Sequence, residues 1–259
     1  MTADELVAAL ALPAGTAVNQ KVPKKHLLEE GAPTAADKRA ITDGIDEIRW
    51  LAALKPHTIG VPEHRDADRD YTEIHVLRLA LRPGAKMARL VELLHRAIPY
   101  PVLLVHDAEG AVGVSAAHKR KSLGEADRIV LEESPLLVEP SLQTLLPHRE
   151  AFIAALPLGK QPQGSLLKLY TGWLDTLLAL EAAARTGRFT IPATPAATQA
   201  RRETLRRCDA LEADMSAIRA AAAHERQVAR QVELNLKLKR VRAELDLALE
   251  SLHTPEVDR

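Results

Sequence analysis

The sequence predicts an α+β protein, an α/β-like core on a mixed sheet followed by a long helical coiled-coil extension at the C-terminus. Three observations predict it. Between Thr34 and Leu131, short apolar runs of strand length alternate with amphipathic stretches of helical period. Beyond Pro140 the strand signals stop and helical periods remain. From Ala197 to Thr254 there is neither glycine nor proline, and apolar residues recur at alternating steps of three and four, the spacing of a coiled coil. The expected boundaries are a globular domain over 1–190, a proline hinge over 191–196, a coiled-coil helix over 197–252 and a tail over 253–259.

Each element has a local signature. Thr2 with Glu5 forms a capping box, so residues 3–11 should make a short helix ended by Pro13 and Gly15. QKVPKKHLLEEG reads as a turn-flanked basic stretch. Thr34 caps a second helix that Gly44 ends. Ile45 to Leu54 fits either period and is assigned to a strand. Thr58 to Val61, between Pro56 and Pro62, is a brief strand, and GVPEHRDADRD is a polar loop. Tyr71 to Leu81 enters the sheet as a strand, Pro83-Gly84 turns the chain, and Met87, Leu90, Val91 and Leu94 mark one face of a helix over 85–97. Val102 to Val105 is an interior strand. A hairpin turn at Asp107 to Gly110 leads into a strand over Val112 to Ala116, and Arg128 to Leu131 offers one more. Leu142 to Leu156 and Leu166 to Arg185 read as helices.

In the C-terminal segment, Cys208, Leu211, Met215, Ile218 and Ala222 form one heptad block, and Leu234, Leu238, Val241, Leu245, Ala248 and Leu252 form another. On a straight helix the second stripe would be rotated about 120° from the first at ~100° per residue. Either the helix changes partners midway or the chain turns back between Ala223 and Gln231. No glycine marks a turn, so one long helix with a shifted seam is expected, self-associating or binding a protein partner through Leu234, Leu238, Val241, Leu245 and Leu252.

Composition restricts the function. Thirty-five basic residues balance 35 acidic ones, so a nucleic-acid contact would need a local patch. Cys208 is the only cysteine, which excludes an intramolecular disulfide framework and a cysteine zinc cluster and suits a reducing cytoplasm. Asp4 and Glu5 stand where a signal peptide needs positive charge, and no apolar run approaches ~20 residues, so neither secretion nor a membrane span is expected. The ten histidines lack HxxxH or HExxH spacing, the glycines match no nucleotide loop, and Ser115 and Ser122 lack a GxSxG setting. No metal and no cofactor is expected.

Two sets of residues carry candidate chemistry. The order helix, three strands, helix, strand across residues 34–105 resembles the core of restriction-endonuclease-like nucleases, whose third strand carries Glu-x-Lys beside an earlier acid to hold a metal ion and activate water. At the matching place stand Glu73 and His75, with Asp66, Asp68 and Asp70 in the loop before them. Histidine replaces the lysine and the preceding strand offers no acid, so the competing reading is that Glu73 and His75 line a solvated sheet edge. The second set is basic: Lys24 and Lys25 beside Lys21 and His26, and Lys119, Arg120 and Lys121 after His118, which could meet phosphates or a partner's carboxylates. Only 3% of residues are aromatic, so stacking on nucleobases is not expected. A third basic face, Arg219 to Arg242, lies on the last helical segment, where such faces usually bind helices.

The segments VPKKHLLEEGAPTAADKRAITDGIDEIRWLAALKPHTIGVP, LVELLHRAIPYPVLLV, SAAHKRKS and QVELNLKLKRVRAELD together resemble the bacterial domain-of-unknown-function family 4391 over nearly the whole chain. The resemblance implies a setting beside DNA helicases and adenine-type DNA methyltransferases in phage-defence islands, and it supplies no catalytic residues. The expected function is therefore a non-catalytic accessory component of a defence or restriction-modification-type assembly, acting through protein and nucleic-acid contacts. The alternatives are a divergent metal-dependent nuclease using Glu73, His75 and Asp70, or a coiled-coil adaptor that never touches nucleic acid.

Overall fold

A computed structural model describes residues 2–108, 110–125, 128–139 and 143–253, in two compact units, Met1–Leu180 and Glu181–Arg259. The first unit opens with α1 (Ala3–Ala9), β1 (Ala17–Lys21), α2 (Lys24–Glu30), α3 (Ala35–Gly44) and β2 (Ile45–Leu54). There follow α4 (Pro56–Ile59), β3 (His64–Arg65), β4 (Asp70–Tyr71), β5 (Ile74–Leu81), α5 (Met87–Ala97), β6 (Val102–Ala108) and β7 (Ala111–Ala116). Last come β8 (Lys119–Lys121), β9 (Ile129–Leu131), β10 (Leu136–Val138), α6 (Arg149–Ala155) and α7 (Leu166–Thr186), whose end enters the second unit. The second unit continues with α8 (Pro195–His224) and α9 (Val228–His253). No helix among the described residues is long and apolar enough to cross a membrane.

Six strands form the main sheet in the order β1-β2-β5-β6-β7-β10. Every pairing is antiparallel except β5 with β6, which α5 connects as a crossover. One face buries Ile45, Ile48, Leu77, Leu79 and Leu104 against Ile41 of α3 and Leu90, Val91 and Leu94 of α5, the stripe that the helical period predicts. Tyr170 of α7 is wholly buried and ties β6 to the segment after β7: its hydroxyl donates to Val102 O at 2.7 Å and accepts from Ala117 N at 3.0 Å.

The capping box is formed, with Thr2 Oγ1 accepting from Glu5 N and Glu5 Oε2 accepting from Thr2 N. Ile45–Leu54 is the expected strand. Four local expectations give way. The basic stretch holds the last two residues of the edge strand β1, Gln20 and Lys21, and the helix α2. The brief strand at 58–61 is the single turn α4 instead: Pro56 begins it, the Thr58 hydroxyl bonds Lys55 at both its N–H and its carbonyl, and Gly60 closes it at φ 72°. The three antiparallel strands before α5 are consequently β1, β2 and β5. Tyr71 belongs to the separate β3–β4 hairpin, and β5 starts at Ile74. The expected helix over 142–156 begins with a 3₁₀ stretch, Gln143–His148, and becomes α-helical at Arg149; Leu142 lies outside the described residues. So do residues 254–259 of the expected tail.

The C-terminal extension is helical as predicted, but it is two helices. Glu225 replaces the absent glycine: its Oε1 accepts from Arg226 N at 2.8 Å and Gln227 N at 2.9 Å, which satisfies amides where α9 begins. The chain turns there, so the two heptad blocks face each other. Cys208, Leu211 and Met215 of α8 are buried with Leu245 and Ala248 of α9, and Leu238, Val241 and Leu252 pack around them.

Candidate functional site

Glu73 precedes β5 at a turn, and the β2–β5 register pairs Leu54 with Ile74, which carries Lys55 to its side. Lys55 Nζ stands 3.1 Å from Glu73 Oε2, so a cation does accompany this carboxylate, supplied by the neighbouring strand rather than by Glu-x-Lys spacing. His75 does not line a solvated edge. It is 8% exposed on an interior strand, with its ring between Trp50 and Tyr100 at centroid distances of 4.6 and 4.7 Å. Its Nε2 lies 3.5 Å from Glu73 Oε2; burial lowers its pKa below the ordinary histidine value while Glu73 acts to raise it.

A nuclease centre needs further acids at this point, and the fold sends them elsewhere. Asp70 faces Arg65 at 3.6 Å. Asp66 is held at about 2 by the His64 ring, then by the N–H groups of Arg69 and Asp68, as the turn residue of the β3–β4 hairpin. Glu47 on β2 pairs across Ala80, at the other end of β5 from Glu73, on the order of 20 Å away at ~3.3 Å per residue. Among the described residues, no three His, Cys, Asp or Glu side chains are grouped where they could hold a metal ion.

The basic candidates are largely engaged in the fold. Lys119 is 2% exposed, and its ammonium donates to the carbonyls of His95 and, at 2.7 Å, Ile98, capping the C-terminus of α5. Burial lowers it to about 7. Its own N–H donates to the Tyr71 hydroxyl, which is also bonded to His118 Nδ1 at 2.8 Å. Lys121 donates to Asp66 O, and Arg120 to the carbonyl of Lys121. Lys24 donates to Ile45 O, while Lys25 is exposed and 3.7 Å from Glu29. Strand alternation points Lys119 inward, which the run of four basic or titratable letters does not show.

A charged network that the sequence analysis does not anticipate crosses the sheet. Register aligns Lys21, Arg49 and Arg78 on β1, β2 and β5. Glu47 meets Lys21 at 3.2 Å and Arg49 at 2.9 Å, and Arg78 bonds Asp107 and Asp4, each at 2.9 Å. Three cations thus answer three carboxylates, so the row presents no unopposed charge to a phosphate backbone.

The remaining feature is on α9. Its inner seam faces α8, yet Val228, Val232 and Leu236, one turn apart, are 74%, 53% and 54% exposed, and Leu247, three turns beyond Leu236, is 66% exposed. These residues form an apolar stripe on the side of α9 opposite Leu238, Val241 and Leu245. Of the predicted contact residues, Leu238, Val241, Leu245 and Leu252 therefore close the hairpin while Leu234 stands outside that cluster, and the opposite face of α9 is exposed.

A family model described as Domain of unknown function (DUF4391) matches residues 10–245. The chain belongs to this family. The DUF4391 match runs from the end of α1 through most of α9, so the sheet and the hairpin both fall within it. Neither the comparison with curated proteins nor that with solved structures finds a match.

Proposed function

We propose that this protein is a non-catalytic component of a larger assembly, and that it joins that assembly through the outer face of its C-terminal hairpin. The observation that carries this reading is the stripe Val228, Val232, Leu236 and Leu247: large apolar side chains left exposed on a helix whose other apolar face is already satisfied. The positions of Lys119 and Lys121 make nucleic-acid contact secondary to protein contact. The family resemblance adds the setting, DNA-processing machinery of the helicase and methyltransferase kind. Val232→Asp with Leu236→Asp in the full chain should leave the circular dichroism spectrum and unfolding midpoint unchanged while abolishing association with every partner the wild-type chain co-purifies. Identical partner sets for both would overturn the reading. Magnesium-dependent DNA cleavage by the purified chain, lost in Glu73→Gln, would replace it with the nuclease alternative.

A further inference from the structure

We propose that the outer face of α9 is a self-association surface, on which two copies of this chain pair through antiparallel α9 helices crossing near Arg242. The inference rests on the interaction reading above and names the partner.

The charge order along α9 carries it. Lys237, Lys239, Arg240 and Arg242 follow one another with no acid between them, and then Glu244, Asp246 and Glu250 follow with no base. A parallel pair would set like charge against like. An antiparallel pair sets the basic block of each copy against the acidic block of the other, which makes the helix complementary to itself. At ~100° per residue, Lys239 and Asp246 flank the apolar stripe on one side, and Arg240 and Glu244 flank it on the other. In antiparallel packing, flanks of the same side face each other. A two-fold axis near Arg242 then brings Lys239 to Asp246 and Arg240 to Glu244 of the second copy, while Leu236 meets Leu247.

The centre of the crossing suits close approach. Ala243 lies in the stripe between Leu236 and Leu247 and is exposed, so the backbones meet over a small side chain. The same two-fold operation repeats every contact, so each copy contributes both Leu236 and Leu247. With α8 already packed on α9, two hairpins joined this way present four helices in the manner of a bundle. Arg207 of α8 stands 3.7 Å from Glu244 in an exposed pair, a weak contact that an intermolecular arginine can share.

Sedimentation equilibrium of the full chain tests the proposal. The expected mass is twice 28.3 kDa. Lys239→Glu with Arg240→Glu should weaken association at least about tenfold, and so should Glu244→Lys with Asp246→Lys. An equimolar mixture of the two variants should recover the wild-type dimer, because each then offers the charge the other lacks. Orientation is read by oxidising a mixture of Leu236→Cys and Leu247→Cys chains, with wild type as the blank since Cys208 is buried. The expected product is the mixed 236–247 disulfide. A monomeric wild type at tens of micromolar, a mixture that associates no better than either charge variant, or a 236–236 disulfide alone would each overturn it. If the chain is monomeric and Val232→Asp with Leu236→Asp still abolishes capture of another protein, the interaction reading stands and this choice of partner fails.

Discussion

Acidification should unfold the first unit through two buried imidazoles, His95 and His106. His106 lies on β6 opposite Gly113, is 0% exposed, and neither ring nitrogen meets a hydrogen-bond partner among the described residues. Burial lowers its pKa to about 4, with Asp107 acting weakly the other way. His95 on α5 is also fully buried, with Nε2 bonded to Ser115 Oγ; burial lowers it to about 3, and charge on Lys119 and His106 adds to the effect. Both folded values lie below the ~6.5 of an unfolded histidine, so the unfolded chain binds more protons throughout the window between them. Stability is complete above about pH 6.5 and falls as pH descends through about 4 for His106 and about 3 for His95. The drop from ~6.5 to about 4 amounts to roughly 3 kcal/mol, a large part of an ordinary ~5–15 kcal/mol margin. Urea unfolding of wild type and His106→Leu, followed between pH 7.5 and 4.5, should show the variant losing about 1.4 kcal/mol less per pH unit between pH 6 and 4.5. Parallel pH dependences would refute the reasoning.

Three further substitutions probe the packing. Gly113→Ala would put a Cβ 2.2 Å from His106 Cε1 and 2.9 Å from the backbone oxygen of Val138, so it should lower stability by about 1–3 kcal/mol, partly restored by adding His106→Ala and read by thermal unfolding. Tyr170→Phe leaves Ala117 N and Val102 O without the hydroxyl between them and should cost about 1–3 kcal/mol, a midpoint lowered by several degrees. Leu245→Asp buries a carboxylate in the α8–α9 seam and should melt the hairpin, seen as lost helicity with the unfolding transition of the first unit retained.

Much of the fold is legible because period and burial coincide. The stripe Leu90, Val91, Leu94 on α5 and the apolar run Val102 to Val105 of β6 are visible as spacing and are buried as that spacing requires, and of the two heptad blocks Cys208, Leu211, Met215, Ile218, Leu245 and Ala248 are buried while Leu238, Val241 and Leu252 are partly so. Information carried by register was not. Lys55 meets Glu73 and the cations Lys21, Arg49 and Arg78 align only once β1, β2 and β5 are paired, and nothing local in those residues announces it. Lys119 reads as a surface charge until the inward face of β8 and the bare carbonyls ending α5 are known. The hairpin was hidden by its turn chemistry: the Glu225 side chain caps α9 where glycine is the expected signal. With the two blocks facing each other, the seam supplies internal stability, and the exposed stripe falls on residues outside both heptad blocks.

The outer face of α9 is proposed to lie against protein when the molecule works. A photoreactive benzoylphenylalanine placed at Leu236, irradiated in host cells, tests this directly, with the same group at the exposed Glu203 of α8 as control. A discrete protein adduct is expected from position 236 that the control does not give. Irradiation that leaves the 236 chain unadducted, or that yields the same adducts from both positions, would contradict it.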